Sequence, residues 1–150
     1  MNMGRHVLVV EDEPSMRQVL RLNLAARGYR VDTAVTGMSA LGQAQRRCPD
    51  LIILDLGLPD IDGLEVIARV RDFSAAPILV ISARDTPTAE TAAIAAGASD
   101  FLPKPFGIDD LIARIRAALP LAACLGERSG GLPGNLPTTT LRRATAAAER

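Results

Sequence analysis

Three carboxylates in this chain stand where short apolar runs stop. Glu11 and Asp12 follow "HVLVV" directly, and Asp55 closes "DLIILD". Two further runs end on groups of other kinds: "PILVIS" on the hydroxyl of Ser82, and "DFLP" just before Lys104. Brought to one place, three ionised carboxylates repel one another. A hard divalent cation removes the conflict, and Mg²⁺ suits a site of one or two carboxylates, waters and phosphate oxygens. With a hydroxyl and a lysine added, the set fits an anion bridged to a metal, which is to say a phosphoryl group. A carboxylate can itself accept that group, while metal and lysine neutralise the charge that develops.

Such a meeting requires elements that deliver all five residues to one edge. Short apolar runs alternate with segments of helical period. Strands are expected at 6–10, 30–34, 50–55, 77–82 and 100–103, and helices at 14–27, 38–47, 63–72, 87–96 and 108–119. Pro14 suits the first turn of the first helix, with Met16, Val19, Leu20 and Leu24 expected on its apolar face, and Gly28 supplies its stop. In the last helix Ile108, Leu111, Ile112, Ile115 and Leu119 repeat at the spacing of one face. Strict β/α alternation predicts an α/β fold, a flavodoxin-like (βα)5 doubly wound parallel sheet. The first, third and fourth strands are continuously apolar, as central strands are, and the second and fifth are more polar, as edges are. Right-handed crossovers then give the order 2-1-3-4-5. In that order the carboxyl ends of strands 1 and 3 are neighbours at the point where the order reverses, where open α/β sheets bind ligands. The carboxylates stand at those ends.

The 150 residues suit one domain, expected over residues 1–120. Beyond it, "PLAACLGERSGGLPGNLPTTT" is rich in Gly, Pro, Ser and Thr without a sustained period, so 121–150 reads as linker or disordered tail. With 17 Lys+Arg against 17 Asp+Glu there is no electrostatic case for a nucleic-acid partner. Cys48 and Cys124 lie far apart and form no metal-like cluster, which fits a reduced cytoplasmic protein. No segment reads as a signal peptide or membrane span.

The segments "VLVVEDE", "PDLIILDLGLPDIDG", "VISAR" and "DFLPKPFG" together resemble the receiver domain of bacterial two-component response regulators, over about residues 5–119. The likeness is strongest to the OmpR-type branch, and within it to regulators of Kdp potassium uptake. The resemblance implies that Asp55 is the phosphoacceptor and that Mg²⁺ is the cofactor. Asp12, Asp55 and the Gly57 carbonyl would be metal ligands, with Glu11 acting through water. It also implies that Ser82 and Phe101 are switch residues, that Lys104 contacts the phosphoryl group, and that Lys104–Pro105 is a cis peptide. A sensor histidine kinase is the implied donor. DNA would be reached only through a domain that is not in this chain. Homodimerisation through helix 4, strand 5 and helix 5 is implied as well, with Glu90, Asp100, Asp110 and Arg114 on the face. Only Asp100 and Arg114 keep a usual charge pair. Glu90 stands where a base is common, facing Asp110, so the dimer is expected to be weakened.

Alternatives stay open at this stage. One alternative is a receiver that acts alone by protein–protein contact. An aspartate-nucleophile phosphatase needs an acid two residues after the nucleophile, where this chain has Gly57. A flavin module needs a glycine- or hydroxyl-rich loop after strand 1, where this chain has "EDEPS". The expected class is a switch, not an enzyme. Each residue alone has a plainer reading: Asp55 a turn starter, Lys104 a solvated lysine, Phe101 core. Their coincidence at strand ends argues against that. His6 is read as entering a strand with no ligand partners nearby in sequence, Cys48 as a small, buried or half-buried side chain.

Overall fold

A computed structural model describes residues 4–84 and 86–119; the expected tail 121–150 and Cys124 lie outside the described residues. The elements are β1 (His6–Val10), α1 (Pro14–Ala26), β2 (Arg30–Ala34), α2 (Gly37–Arg47), β3 (Leu51–Asp55), α3 (Gly63–Arg71), β4 (Ile78–Ser82), α4 (Thr86–Ala96), β5 (Asp100–Pro103) and α5 (Ile108–Ala118). Every strand pairs in parallel, in the order β2-β1-β3-β4-β5. Each element falls within one residue of its expected bounds.

Periodicity explains the layers. β1, β3 and β4 are buried at every position, whereas β2 begins exposed and is largely half-buried. Successive strand residues point to opposite faces. Leu8, Val10, Ile52, Leu54, Ile78, Val80 and Phe101 pack on one face with Ala40, Ala44, Val66, Ile67, Val70, Ala89 and Ala93 of α2, α3 and α4. The alternate residues Val7, Val9, Ile53 and Ile81 are equally buried and are left for the other face, where Leu20 and Leu24 of α1 and Leu111, Ile112 and Ile115 of α5 are also buried. Each buried Val, Leu, Ile or Phe contributes roughly 1.5–3 kcal/mol relative to exposure.

Helix ends follow local chemistry. Pro14 opens α1, and the Glu13 carboxylate caps it by accepting the Met16 N–H at 2.7 Å. Thr36 and Asp62 cap α2 and α3 through the N–H groups of Ser39 and Leu64. Asp60, from the loop after β3, adds bonds from the Gly37 and Met38 N–H groups at 2.8 and 2.9 Å. Those bonds hold its carboxyl below the usual carboxylate range. Gly28 follows α1 at φ +91°, a backbone conformation that costs glycine nothing.

Two local expectations need correction. Val19 is 42% exposed, because α1 buries a stripe narrower than its apolar residues, centred on Leu20 and Leu24. Cys48 is exposed: it caps α2 in the left-handed region at φ +48°, rather than tucking under the helix. His6, with no partner nearby in sequence, is paired across the fold. Its Nε2 lies 2.6 Å from Asp32 Oδ2, and its backbone N–H donates to Asp50 Oδ2 at 2.7 Å. This cluster is at the amino-terminal edge of the sheet, opposite the strand ends discussed next. Sequence separation conceals it, because Asp32 arrives from the neighbouring strand.

Candidate functional site

Strand register decides which residues meet. Val10 pairs with Leu54, so the next residues, Glu11 and Asp55, leave the sheet at the same level. Asp55 pairs with Ile81, which puts Ser82 one residue above it, and Ser82 pairs with Pro103, which puts Lys104 above that. The Lys104 backbone N–H donates to the Ser82 carbonyl at 2.8 Å, extending the ladder by one bond. The Lys104–Pro105 peptide is cis.

The acidic residues do converge. Glu11, Asp12 and Asp55 each offer a carboxylate oxygen, and these oxygens lie within 4.8 Å of one another. Glu11 is fully buried, Asp55 is 7% exposed and Asp12 is half-buried. The Lys104 ammonium donates to Glu11 Oε1 at 3.0 Å and stands 3.6 Å from Asp55 Oδ1. Among the described residues, three carboxylates thus face one ammonium, and negative charge stays in excess. Burial raises the Glu11 pKa, against bonds from the Glu13 N–H and Lys104. Burial also opposes the Lys104 charge, but the bond to Glu11 and the charge of Asp55 prevail and hold its pKa above the usual lysine range. An all-oxygen donor set with unneutralised charge suits a hard divalent cation.

The remaining expected residues lie around this centre. Gly57 is exposed, and its N–H donates to Asp55 Oδ1 at 3.4 Å. Ser82 is almost wholly buried, its Oγ accepting the Arg84 N–H at 3.0 Å. Phe101 is buried in the core against the α2–α3–α4 layer, not exposed. At the far face Glu90 is exposed on α4. Asp110 is not an uncompensated acid, since Arg114 donates from Nε to Asp110 at 3.0 Å and from Nη1 to Asp100 at 2.9 Å. Asp110 thus has a compensating cation within its own chain.

Three contributors escaped the sequence reading. Arg17 Nη1 donates to the carbonyls of Glu11 and Asp12, at 3.0 and 3.2 Å, and steadies the acidic pair. Arg84 Nη2 donates to the Leu56 carbonyl at 3.1 Å. Gly63 lies so close to Leu56 that a Cβ there would stand 2.6 Å from the Leu56 Cα. For Arg17, an i+4 spacing from a helix cap was a usable signal; for the other two there was none without the fold.

Comparison with known proteins agrees with this geometry. Residues 7–116 match the family of the response regulator receiver domain. The KDP operon transcriptional regulatory protein KdpE of Escherichia coli (strain K12) is 53% identical over 114 residues, covering 76% of this chain and 51% of that protein. The transcriptional regulatory protein KdpE of Mycobacterium tuberculosis (strain ATCC 25618 / H37Rv) is 49% identical over 113 residues, covering 75% and 50%. The chain therefore spans about half the length of the curated relatives it matches. Among solved structures, a putative response regulator from Chloroflexus aurantiacus superposes with a TM-score of 0.74 at 36% identity, covering 77% of this chain and 98% of that one. The BeF3-activated N-terminal receiver domain of Klebsiella pneumoniae RstA gives 0.73 at 28% identity, covering 76% and 97%.

Proposed function

The chain belongs to the response regulator receiver domains, phosphorylation-activated switches of two-component systems, and on that premise we propose that Asp55 is the residue that takes the phosphoryl group. The observation that carries this reading is the single ammonium of Lys104 set between Glu11 and Asp55, at an edge where three carboxylates converge. Asp12, Asp55 and the Gly57 carbonyl would hold Mg²⁺, with Glu11 behind them. When bound, Mg²⁺ neutralises charge that develops on the phosphoryl oxygens.

The chain's own residues do the rest. A carboxylate oxygen of Asp55 bonds to phosphorus as the P–N bond to a kinase phosphohistidine breaks, and the electron pair leaves with the imidazole. Lys104 is placed to pair with the added charge. Ser82, one level above Asp55 in the strand register, has a hydroxyl proton to offer it. Phe101, buried in the core and paired with Val80 in the register, would be the aromatic that follows Ser82. Phosphorylation adds charge and strong acceptor oxygens, and the population shift follows from contacts made only in that state. Position 57 is glycine, so no acid stands two residues after Asp55 to protonate a leaving group. That favours a switch over a phosphatase.

A sensor histidine kinase is the partner this chemistry calls for. Output through transcription, by a DNA-binding region outside these residues, follows from the regulators it resembles, as does a cytoplasmic setting. Among the described residues no helix is long and apolar enough to cross a membrane. Homodimerisation through α4, β5 and α5 belongs to the same proposal, in a weakened form. Beryllofluoride, a phosphoryl mimic, tests the site: it is expected to bind only with Mg²⁺ present and not to Asp55→Asn. Binding without Mg²⁺, or to the variant, would overturn the assignment.

A further inference from the structure

Arg84 belongs to the segment between β4 and α4, yet it is bonded at both ends to other parts of the site. Its backbone N–H donates to Ser82 Oγ at 3.0 Å. Its Nη2 donates to the Leu56 carbonyl at 3.1 Å, and Nη1 lies 3.5 Å from Asp62 Oδ1. Leu56 is the residue after Asp55, and Gly57 follows it.

The Leu56 carbonyl is where the β3–α3 loop closes on itself. It accepts the N–H groups of Leu58 and Gly63 at 3.0 and 3.2 Å as well as the Arg84 guanidinium. A carbonyl has two lone pairs, and of these three donors only the guanidinium carries charge, which makes its bond the strongest of the set. Packing covers only part of the Arg84 side chain. It is 42% exposed and borders an open cleft of about 250 Å³ between α3 and α4, floored by Leu64, Ala89 and Ala92. The directional part of the tether is therefore the hydrogen bonding.

We infer that Arg84 is a positioning residue: through the Leu56 carbonyl it fixes the loop that presents the Gly57 carbonyl, and through its own N–H it ties that loop to the hydroxyl of Ser82. Ser82 cannot turn its oxygen away from the Arg84 N–H without loosening the segment that holds Leu56. Coupling of this kind is reciprocal for binding free energies. A cation held by the loop favours the Ser82 position seen here, and displacement of Ser82 relaxes the loop. The inference rests on the metal-binding part of the proposed function.

The test uses the full 150-residue chain, with Mg²⁺ affinity by calorimetry and amide hydrogen exchange at Leu58 and Gly63 without Mg²⁺. Arg84→Ala is expected to bind Mg²⁺ roughly tenfold more weakly, the lower end of the 10–100-fold seen when residues supporting a metal ligand are removed. Exchange at Leu58 and Gly63 should quicken while β1 and β3 amides keep their protection. Arg84→Lys, which keeps one donor group but cannot fork between Leu56 and Asp62, should recover part of both effects. Wild-type affinity together with wild-type exchange in Arg84→Ala would overturn the inference alone. Failure of the wild-type chain to take up Mg²⁺ would overturn the site reading, and this inference with it.

Discussion

Lys104 reaches Glu11 across the sheet edge, Nζ to Oε1 at 3.0 Å, although 93 residues separate them in sequence. Glu11 is wholly buried and Lys104 retains 19% exposure, so the pair is only partly desolvated. Breaking a fully buried pair costs roughly 3–5 kcal/mol. Lys104→Met is accordingly expected to lose about 1–3 kcal/mol at neutral pH in Mg²⁺-free buffer.

The pH dependence of that loss follows from the two shifts. The Lys104 pKa is raised, so its contribution is present below the usual value of 10.5 and is lost as pH climbs through the folded-state value. The Glu11 pKa is also raised, so folding loses stability as pH rises from 4.5 to the folded-state value, and below 4.5 Glu11 is protonated in both states. The deficit of Lys104→Met should therefore shrink as pH falls toward 4.5. Denaturant melts at several pH values check this, and a deficit independent of pH between 7 and 4.5 would contradict it.

Asp12→Ala separates metal binding from folding. Relieving repulsion among three close carboxylates should raise metal-free stability by up to about 1 kcal/mol. Mg²⁺ affinity should fall by more than the roughly 10–100-fold typical of residues that only support a ligand. Unchanged affinity by calorimetry would remove Asp12 from the ligand set.

Much of this architecture was legible in the sequence, for identifiable reasons. Continuous apolar runs at Val7–Val10, Leu51–Leu54 and Ile78–Ile81 mark strands buried on both faces, and the polar β2 marks an edge. Once order 2-1-3-4-5 follows, Glu11 and Asp55 must be neighbours. Contacts fixed by side-chain reach were not legible. Arg84 to Leu56 and His6 to Asp32 join positions that no local pattern connects. Val19 and Cys48 show the same limit at smaller scale: residue type and period indicate a helix face or end, but the width of the buried stripe and the handedness of the cap depend on what packs there.

Gly57 in the β3–α3 loop and Gly63 at the start of α3 should respond differently to substitution. A Cβ on Gly63 would stand 2.6 Å from the Leu56 backbone, whereas the nearest atom to one on Gly57 is 3.9 Å away. Gly63→Ala is expected to cost about 1–3 kcal/mol and to weaken Mg²⁺ binding by pushing the loop from Leu56. Gly57→Ala should stay within about 0.5 kcal/mol. Thermal melts and metal titration of the pair check the ranking.

The proposed dimer face carries its own expectation. Arg114 is already bonded to Asp100 and Asp110 within the chain, so any pair across a two-fold axis must compete with existing bonds. Exposed pairs contribute only about 0–1 kcal/mol each, and Glu90 is exposed as a further negative charge on α4. The phosphorylated chain should associate weakly and in a salt-sensitive way. Sedimentation at low and high salt reads this directly, and a tight dimer at both would contradict it.

The most direct test of the account is the site of phosphorylation itself. Incubated with a small acyl phosphate and Mg²⁺, the chain should gain the mass of one phosphoryl group, mapped by peptide analysis to Asp55 and absent from Asp55→Asn. The same gain in Asp55→Asn, mapped to another residue, would contradict the account at its centre.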